Sequence, residues 1–172
     1  MRDGVTKGEF GMDDIKATVR KIQDHGINVI GNYIFGLPDD TRDSMQETLD
    51  LALDINAEWA NFYSAMAYPG SQLYTMAQES GWPLPNDPEG PGWIGYSQHA
   101  YDSRPLPTRH LAAQEVLAFR DHAFDAYFKN ARYLSMIERK FGPETVEHVA
   151  RMTTHTLPRR HHDSAPTQAK AS

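Results

Sequence analysis

Two short segments carry residue types that build ligand sites. One is Gly36-Leu37-Pro38-Asp39-Asp40-Thr41, which follows an apolar run at 27–35. The other is Tyr68-Pro69-Gly70-Ser71, which follows a second apolar run at 59–66. Placed at the carboxyl ends of parallel strands, such turns face the crevice where α/β proteins hold ligands. A glycine at Gly36 would let a flat ring approach the main chain closely. Ile34 and Gly36 with Pro38 and Asp39, and Tyr68 with Pro69 and Gly70, are therefore the candidate binding residues. An ordinary Gly-Leu-Pro turn before a capped helix explains the first set as well. A tight Pro-Gly turn capped by Ser71 likewise explains the second. Two successive strand ends lining one rim add modestly to the ligand reading, and both readings stay open on local chemistry.

The other reactive side chains assemble into nothing comparable. The sequence has no cysteine, which excludes disulfides and thiolate metal sites. His155, His161 and His162 lie in a polar stretch, and adjacent histidines do not easily share one ion. His99 and His110 stand apart from them. Asp39, Asp40 and Asp43 bunch where a helix dipole would favour them. Arg120 with Asp121 and Asp125 reads as a surface or interhelix ion-pair set. There is no phosphate-binding glycine loop and no nucleophile elbow. No residue is assigned a catalytic or metal-binding role.

The elements that must position the two turns follow from periodicity. Asp13 or Asp14 is expected to cap a helix with Ile15, Val19 and Ile22 on one face, ended by Gly26. The run 27–35 is rich in β-branched and aromatic residues and reads as a buried parallel strand. Thr41 caps a helix with Met45, Leu49, Ala52 and Leu53 as its stripe. A second strand follows at 59–66, then a helix at 72–80. Helix and strand alternate with short connections, the pattern of a parallel α/β sheet. Segment 82–107 is rich in proline and aromatics without a sustained period. Its Trp82, Trp93, Tyr96 and Tyr101 are costly to leave in water, so it is expected to pack over another surface. Thr108 is expected to cap a long helix bearing Ala112, Val116, Phe119, Ala123 and Tyr127. Helices at 130–140 and 144–152 come next. The resulting division is 1–81, an α/β part; 82–107, a covering loop; 108–154, a helical extension; and 155–172, a disordered tail.

At 172 residues with a net charge of −6, the chain suits one core and argues against a nucleic-acid partner. No apolar run reaches the roughly 20 residues that span a bilayer. The first residues lack a signal-peptide core, so a cytoplasmic protein is expected.

With those residues in place, the ordered series resembles the later part of radical S-adenosylmethionine (SAM) enzymes over roughly residues 11–157. The blocks that carry the resemblance are Ile34-Phe-Gly-Leu-Pro38 with Asp39, Asp40 and Thr41, then Tyr68-Pro-Gly-Ser-Gln-Leu-Tyr74. Leu117-Ala-Phe-Arg-Asp121, Tyr127-Phe128, Tyr133-Leu134 and Lys140-Phe-Gly142 complete the series. It is most similar to the cobalamin-associated class that includes the anaerobic magnesium-protoporphyrin monomethyl ester cyclase. The resemblance implies the end of a partial (β/α) TIM-like barrel followed by a helical extension. In that family a Gly-x-Ile-x-Gly-x-x-Glu strand supports the adenine of SAM. Ile34 and Gly36 match it, Asn32 replaces the first glycine, and Asp39 stands at the glutamate position. Tyr68, Pro69 and Gly70 would lie at the cofactor mouth, and Asn61, Tyr63 or Ser64 would point into the barrel. The family's Cys-x-x-x-Cys-x-x-Cys loop is absent. An iron–sulfur cluster, and cobalamin where used, would therefore belong to a full-length parent or to a separate cluster-bearing N-terminal half. The substrate implied is a large hydrophobic small molecule of tetrapyrrole type. A non-catalytic module that dimerises or docks onto such a partner is the alternative.

Overall fold

A computed structural model describes residues 11–160. Among them are six α-helices and two strands: α1 (Met12–Asp24), β1 (Ile30–Phe35), α2 (Arg42–Ile55), β2 (Trp59–Ser64), α3 (Gln72–Glu79), α4 (Ala113–Phe128), α5 (Ala131–Phe141) and α6 (Pro143–Met152). The strands pair in parallel, Ile30 opposite Trp59 through Phe35 opposite Ser64. This is an α/β fold built on a two-stranded parallel sheet.

Caps set the helix limits. Thr41 Oγ1 accepts from Ser44 N–H at 3.2 Å, and Ser44 Oγ accepts from Thr41 N–H at 3.0 Å. Ser71 caps α3 in the same way through Tyr74 N–H. Asn56, in the left-handed region at φ 52°, ends α2. At α1 the expectation shifts by a turn. Gly11 is the cap residue, and Asp14 reaches back to accept its N–H at 2.8 Å. Helix α4 also starts later than expected. Thr108 Oγ1 accepts from His110 and Leu111 N–H in a local turn, and Glu115 closes the helix start by accepting from Ala112 N–H.

The two faces of the sheet differ. Tyr33, Phe35, Ala60 and Phe62 turn toward α2 and α4 and are buried with Met45, Leu49, Val116, Phe119, Ala123 and Tyr127. Phe62 stacks on Tyr33 and Phe35, while Phe119 and Tyr127 meet this layer edge-on. The opposite face carries Ile30, Asn32, Ile34, Asn61 and Tyr63. Ile30 is 60% exposed and Ile34 48%. The strand expected to be buried on both faces is thus buried on one. Strand limits also contract, to 30–35 and 59–64.

The amino end of β2 is fixed by Glu58, which accepts from Val29 N–H at 2.8 Å and from Lys140. Tyr127 and Tyr133 hydroxyls donate to the carbonyls of Ala57 and Glu58. Beyond β2, segment 82–107 packs against the fold through Tyr96 and two leucines, while Trp93, 73% exposed, and Tyr101 stay in contact with water, against the expectation for the aromatics. Leu84 and Leu106 form a second core with Ala67 and Ala77. A short 3-10 turn at Gly92–Tyr96 sits within the segment. The described start of the expected tail is also held in place: Arg159 is buried. Residues 161–172, with His161 and His162, lie outside the described residues, as do residues 1–10.

Candidate functional site

Both sequence-marked turns stand at the carboxyl ends of the strands, on one rim. The first is organised by Asp40, which is 2% exposed. One of its oxygens accepts from Gly36 N–H at 2.9 Å and Leu37 N–H at 2.8 Å, and the other accepts from Ser44 Oγ at 2.8 Å. The Gly36 amide is therefore engaged within the turn. The role of Asp40 goes beyond the dipole effect expected of it. Gly36 has φ +81°, and a Cβ there would overlap Val116 Cγ1, with Cγ2 at 3.1 Å. Backbone conformation and packing on α4 both require the glycine. Pro38 is half-buried, and its carbonyl accepts from Arg109 N–H at 2.9 Å. Asp39 is exposed and forms an ion pair with Arg109, which ties the 106–112 loop to this turn.

At the second turn Tyr68 is half exposed and stacks on Tyr96, ring centroids 5.3 Å apart. Pro69 and Gly70 are exposed, and Gly70 has φ +86°. Of the strand residues, Asn61 and Tyr63 share the open face with Ile34. Asn61 Nδ2 donates to Asn32 Oδ1 across the register at 3.0 Å. Ser64 turns the other way, into the core, where its hydroxyl has no hydrogen-bond partner among the described residues. The structure therefore brings Ile34, Asn32, Asn61 and Tyr63 onto one accessible surface bordered by the two turns. Among the described residues no cluster of three histidine or acidic side chains could hold a metal. No described helix is long and apolar enough to cross a membrane.

The outer edge of β2 is closed by Gln98, which the sequence did not mark, and by Arg120, marked there only as part of an ion-pair set. Gln98 Oε1 accepts from Ser64 N–H and Gln98 Nε2 donates to Ser64 C=O, both at 2.9 Å. Arg120 Nε donates to Phe62 C=O at 2.8 Å. Arg120 also contacts Asp121, which receives two hydrogen bonds from Arg159. Arg120 is thus a buried strut between α4 and β2; of the surface or interhelix ion-pair set expected, the Arg120–Asp121 pair is present, but it is neither at the surface nor between helices. A free strand edge exposes unpaired main-chain groups, and this edge is covered from within the chain.

Burial pushes the Asp121 carboxyl up, but hydrogen bonds from Arg159 and Arg120 outweigh that and hold it below the ordinary 3.8. Glu58 behaves alike: burial raises it, while Lys140, Val29 N–H and Gln23 bring it below 4.5. Both folded-state values lie below the unfolded ones. The unfolded chain therefore takes up more protons as the solution is acidified through that range, and stability is lost as pH falls through the folded values. We expect Tm to hold between pH 7 and about 5 and to fall below about pH 4. Asp121→Asn should flatten part of that fall in melts recorded from pH 6 to 3; an unchanged profile would mean that Asp121 is not coupled to folding.

No family model matches the chain. It is similar to an uncharacterized methyltransferase of Pyrococcus horikoshii, 32% identical over 73 residues. The matched part spans 42% of this chain and 16% of that protein.

Proposed function

We propose that this chain is part of a SAM-using enzyme of the radical SAM class, in which it forms the adenine-side wall of the cofactor site. The observation that carries the reading is the one-sided sheet. Two parallel strands pack helices on one face and leave Ile30, Ile34 and Tyr63 accessible on the other, beside two Gly/Pro turns. Two strands alone make a poor sheet, and an exposed face of this kind suits the inward surface of a larger β/α barrel. The similarity to a protein named as a methyltransferase supports SAM as the cofactor.

The residues present fit part of that group. Ile34 and Tyr63 offer an apolar surface for a ring, and the β1 edge leaves the Ile34 main chain outside the β1–β2 ladder. Asp39, paired with Arg109, is directed to the loop rather than to the open face. An iron–sulfur cluster does not fit this chain, which supplies no thiolate. In the parent, that cluster and any cobalamin would be held by other segments, and a large hydrophobic substrate, tetrapyrroles first, would meet the covering loop 82–107.

The test is a titration of the 15N-labelled chain with S-adenosylhomocysteine. Amide shifts should concentrate at Ile34, Leu37 and Tyr68, and Ile34→Arg should abolish them with Tm unchanged. Shifts spread evenly over the surface, or none at millimolar ligand, would sink the assignment.

A second reading is favoured by the same exposed face and by the uncovered outer edge of β1: a non-catalytic module that docks onto a partner or a second copy. Sedimentation equilibrium separates the two. A concentration-dependent dimer that loses its association in Ile34→Arg would select the module.

A further inference from the structure

A cavity of about 500 Å³ runs along the outer edge of β2, between that strand, α4 and residues 152–157. It adjoins the open face of the sheet, with which it shares Asn61 and Tyr63. Its charge comes from elsewhere. Arg120 lines it and is only 5% exposed. Nε of that guanidinium donates to Phe62 C=O and Nη1 to Asp121. Nη2 has no hydrogen-bond partner among the described residues, yet it is not sealed from solvent. The guanidinium carbon lies 5.9 Å from the ring centroid of Phe124, which lines the same cavity. A buried charged donor is thus left open toward the cavity.

The surroundings are locally positive, in a chain whose net charge is −6. Asp121 is shared by two guanidiniums: Arg120 bonds one of its oxygens, and Arg159 bonds both. Asp125, the other carboxylate of the lining, is paired with Lys129 at 2.8 Å. Burial first, then the charges of Arg120 and Arg159, hold the His99 imidazole below its usual 6.5, against the opposite pull of Asp121. The rings of His99 and His155 also line the cavity without a hydrogen-bond partner among the described residues, and each has a nitrogen able to donate. A buried charge without its full counter-charge is costly. An anion supplies what is missing, whereas a cation would meet the guanidinium and a neutral molecule would leave it uncompensated. Trp59, Phe124, Met152 and Leu157 give the remaining wall apolar surface. Sites of this size commonly combine such a wall with a few directed polar groups.

We propose that this cavity binds a small carboxylate carried on an apolar body. One carboxylate oxygen accepts from Arg120 Nη2 and the other from the His99 ring. The apolar body lies against Trp59 and Phe124.

The probe is 3-phenylpropionate, titrated into the full 15N-labelled chain at constant ionic strength. The Arg120 Nε–H and Thr156 amide signals should shift saturably, with a dissociation constant of about a millimolar, as befits so small a ligand. The neutral 3-phenylpropionamide should bind about tenfold more weakly. Inorganic phosphate, which has no apolar body, should leave both signals in place at the same concentration. Thr156 is exposed on the cavity wall; Thr156→Glu should weaken binding several-fold by repulsion, and Thr156→Gln should not. Arg120→Gln should abolish binding, and if it fails to fold, the Thr156 pair decides. The Ile34 and Leu37 amides, which report the proposed cofactor wall, should stay in place, so failure of either site is visible without the other. Equal binding of the carboxylate and its amide, an equal response to phosphate, or a silent Arg120 Nε–H overturns the proposal.

Discussion

Gly36→Val should unfold the protein or bring it close to unfolding. Two separate costs add. At φ +81° a β-branched residue is forced into a region that side chains rarely occupy, at about 1–3 kcal/mol. Its Cβ would also enter the space of Val116, which is fully buried in the main core, and overpacking of this kind costs about 1–3 kcal/mol. Whole domains are stable by only about 5–15 kcal/mol. The check is a urea melt of Gly36→Val beside Gly36→Ala and the double variant Gly36→Ala with Val116→Ala. The alanine at 36 should be less damaging than valine, and trimming Val116 should return the packing part but not the backbone part. A Gly36→Ala variant within about 0.5 kcal/mol of wild type, the range of an ordinary surface change, would show that the turn adapts and that neither cost applies. The result bears on function too. A loss of ligand binding in Gly36→Val reports a collapsed turn, so Ile34, exposed and outside the core, is the position at which binding can be probed without it.

How much of the fold and of the rim was legible in the sequence depends on how local each cause is. Thr41 and Ser71 cap their helices through atoms three residues away, and residue type alone announces them. The Gly36 turn was legible as a turn. Its reason was not, because Val116 lies far along the chain. The start of α4 was misplaced by Thr108, although Ala112 with Glu115 three residues later carried the correct signal. Strand order and parallel pairing followed from the helix–strand alternation. That one face stays open did not follow, because Ile30 and Ile34 are apolar in composition whether or not anything covers them. The closure of the β2 edge had no signal. A glutamine in a proline-rich loop and an arginine among helix charges look solvated until the fold brings them to Ser64 and Phe62. The candidate rim was therefore readable from local turn chemistry, while the groove beside β2 depends on contacts across 34 to 61 positions of sequence.

Arg159→Ala should be the most destabilising change in the carboxyl-terminal half. The side chain is fully buried. Its Nε and Nη2 donate to the two oxygens of Asp121, each at 2.9 Å; Nη1 donates to Ala100 C=O at 3.0 Å, and Nη2 also to Gln98 C=O at 2.9 Å. One guanidinium thereby joins α4, the loop after the 3-10 turn and the segment beyond α6. Truncation orphans two carbonyls and leaves Asp121 with Arg120 alone. Breaking a buried pair from one side costs about 3–5 kcal/mol, which for a chain of this size lowers Tm by roughly 10 °C. Arg159→Lys should recover little, since a point charge cannot reproduce the two-pronged contact or reach the carbonyls at the same time. The loss should also spread. With Gln98 no longer held through its main chain, its carboxamide loosens from Ser64, and amide exchange at Ser64 should accelerate before global unfolding. A double-mutant cycle with Asp121→Ala should give a coupling above about 1 kcal/mol. If Arg159→Ala melts within a degree or two of wild type and the Ser64 amide stays protected, residues 155–160 contribute nothing to the fold. They would then belong to the disordered tail that their composition suggests.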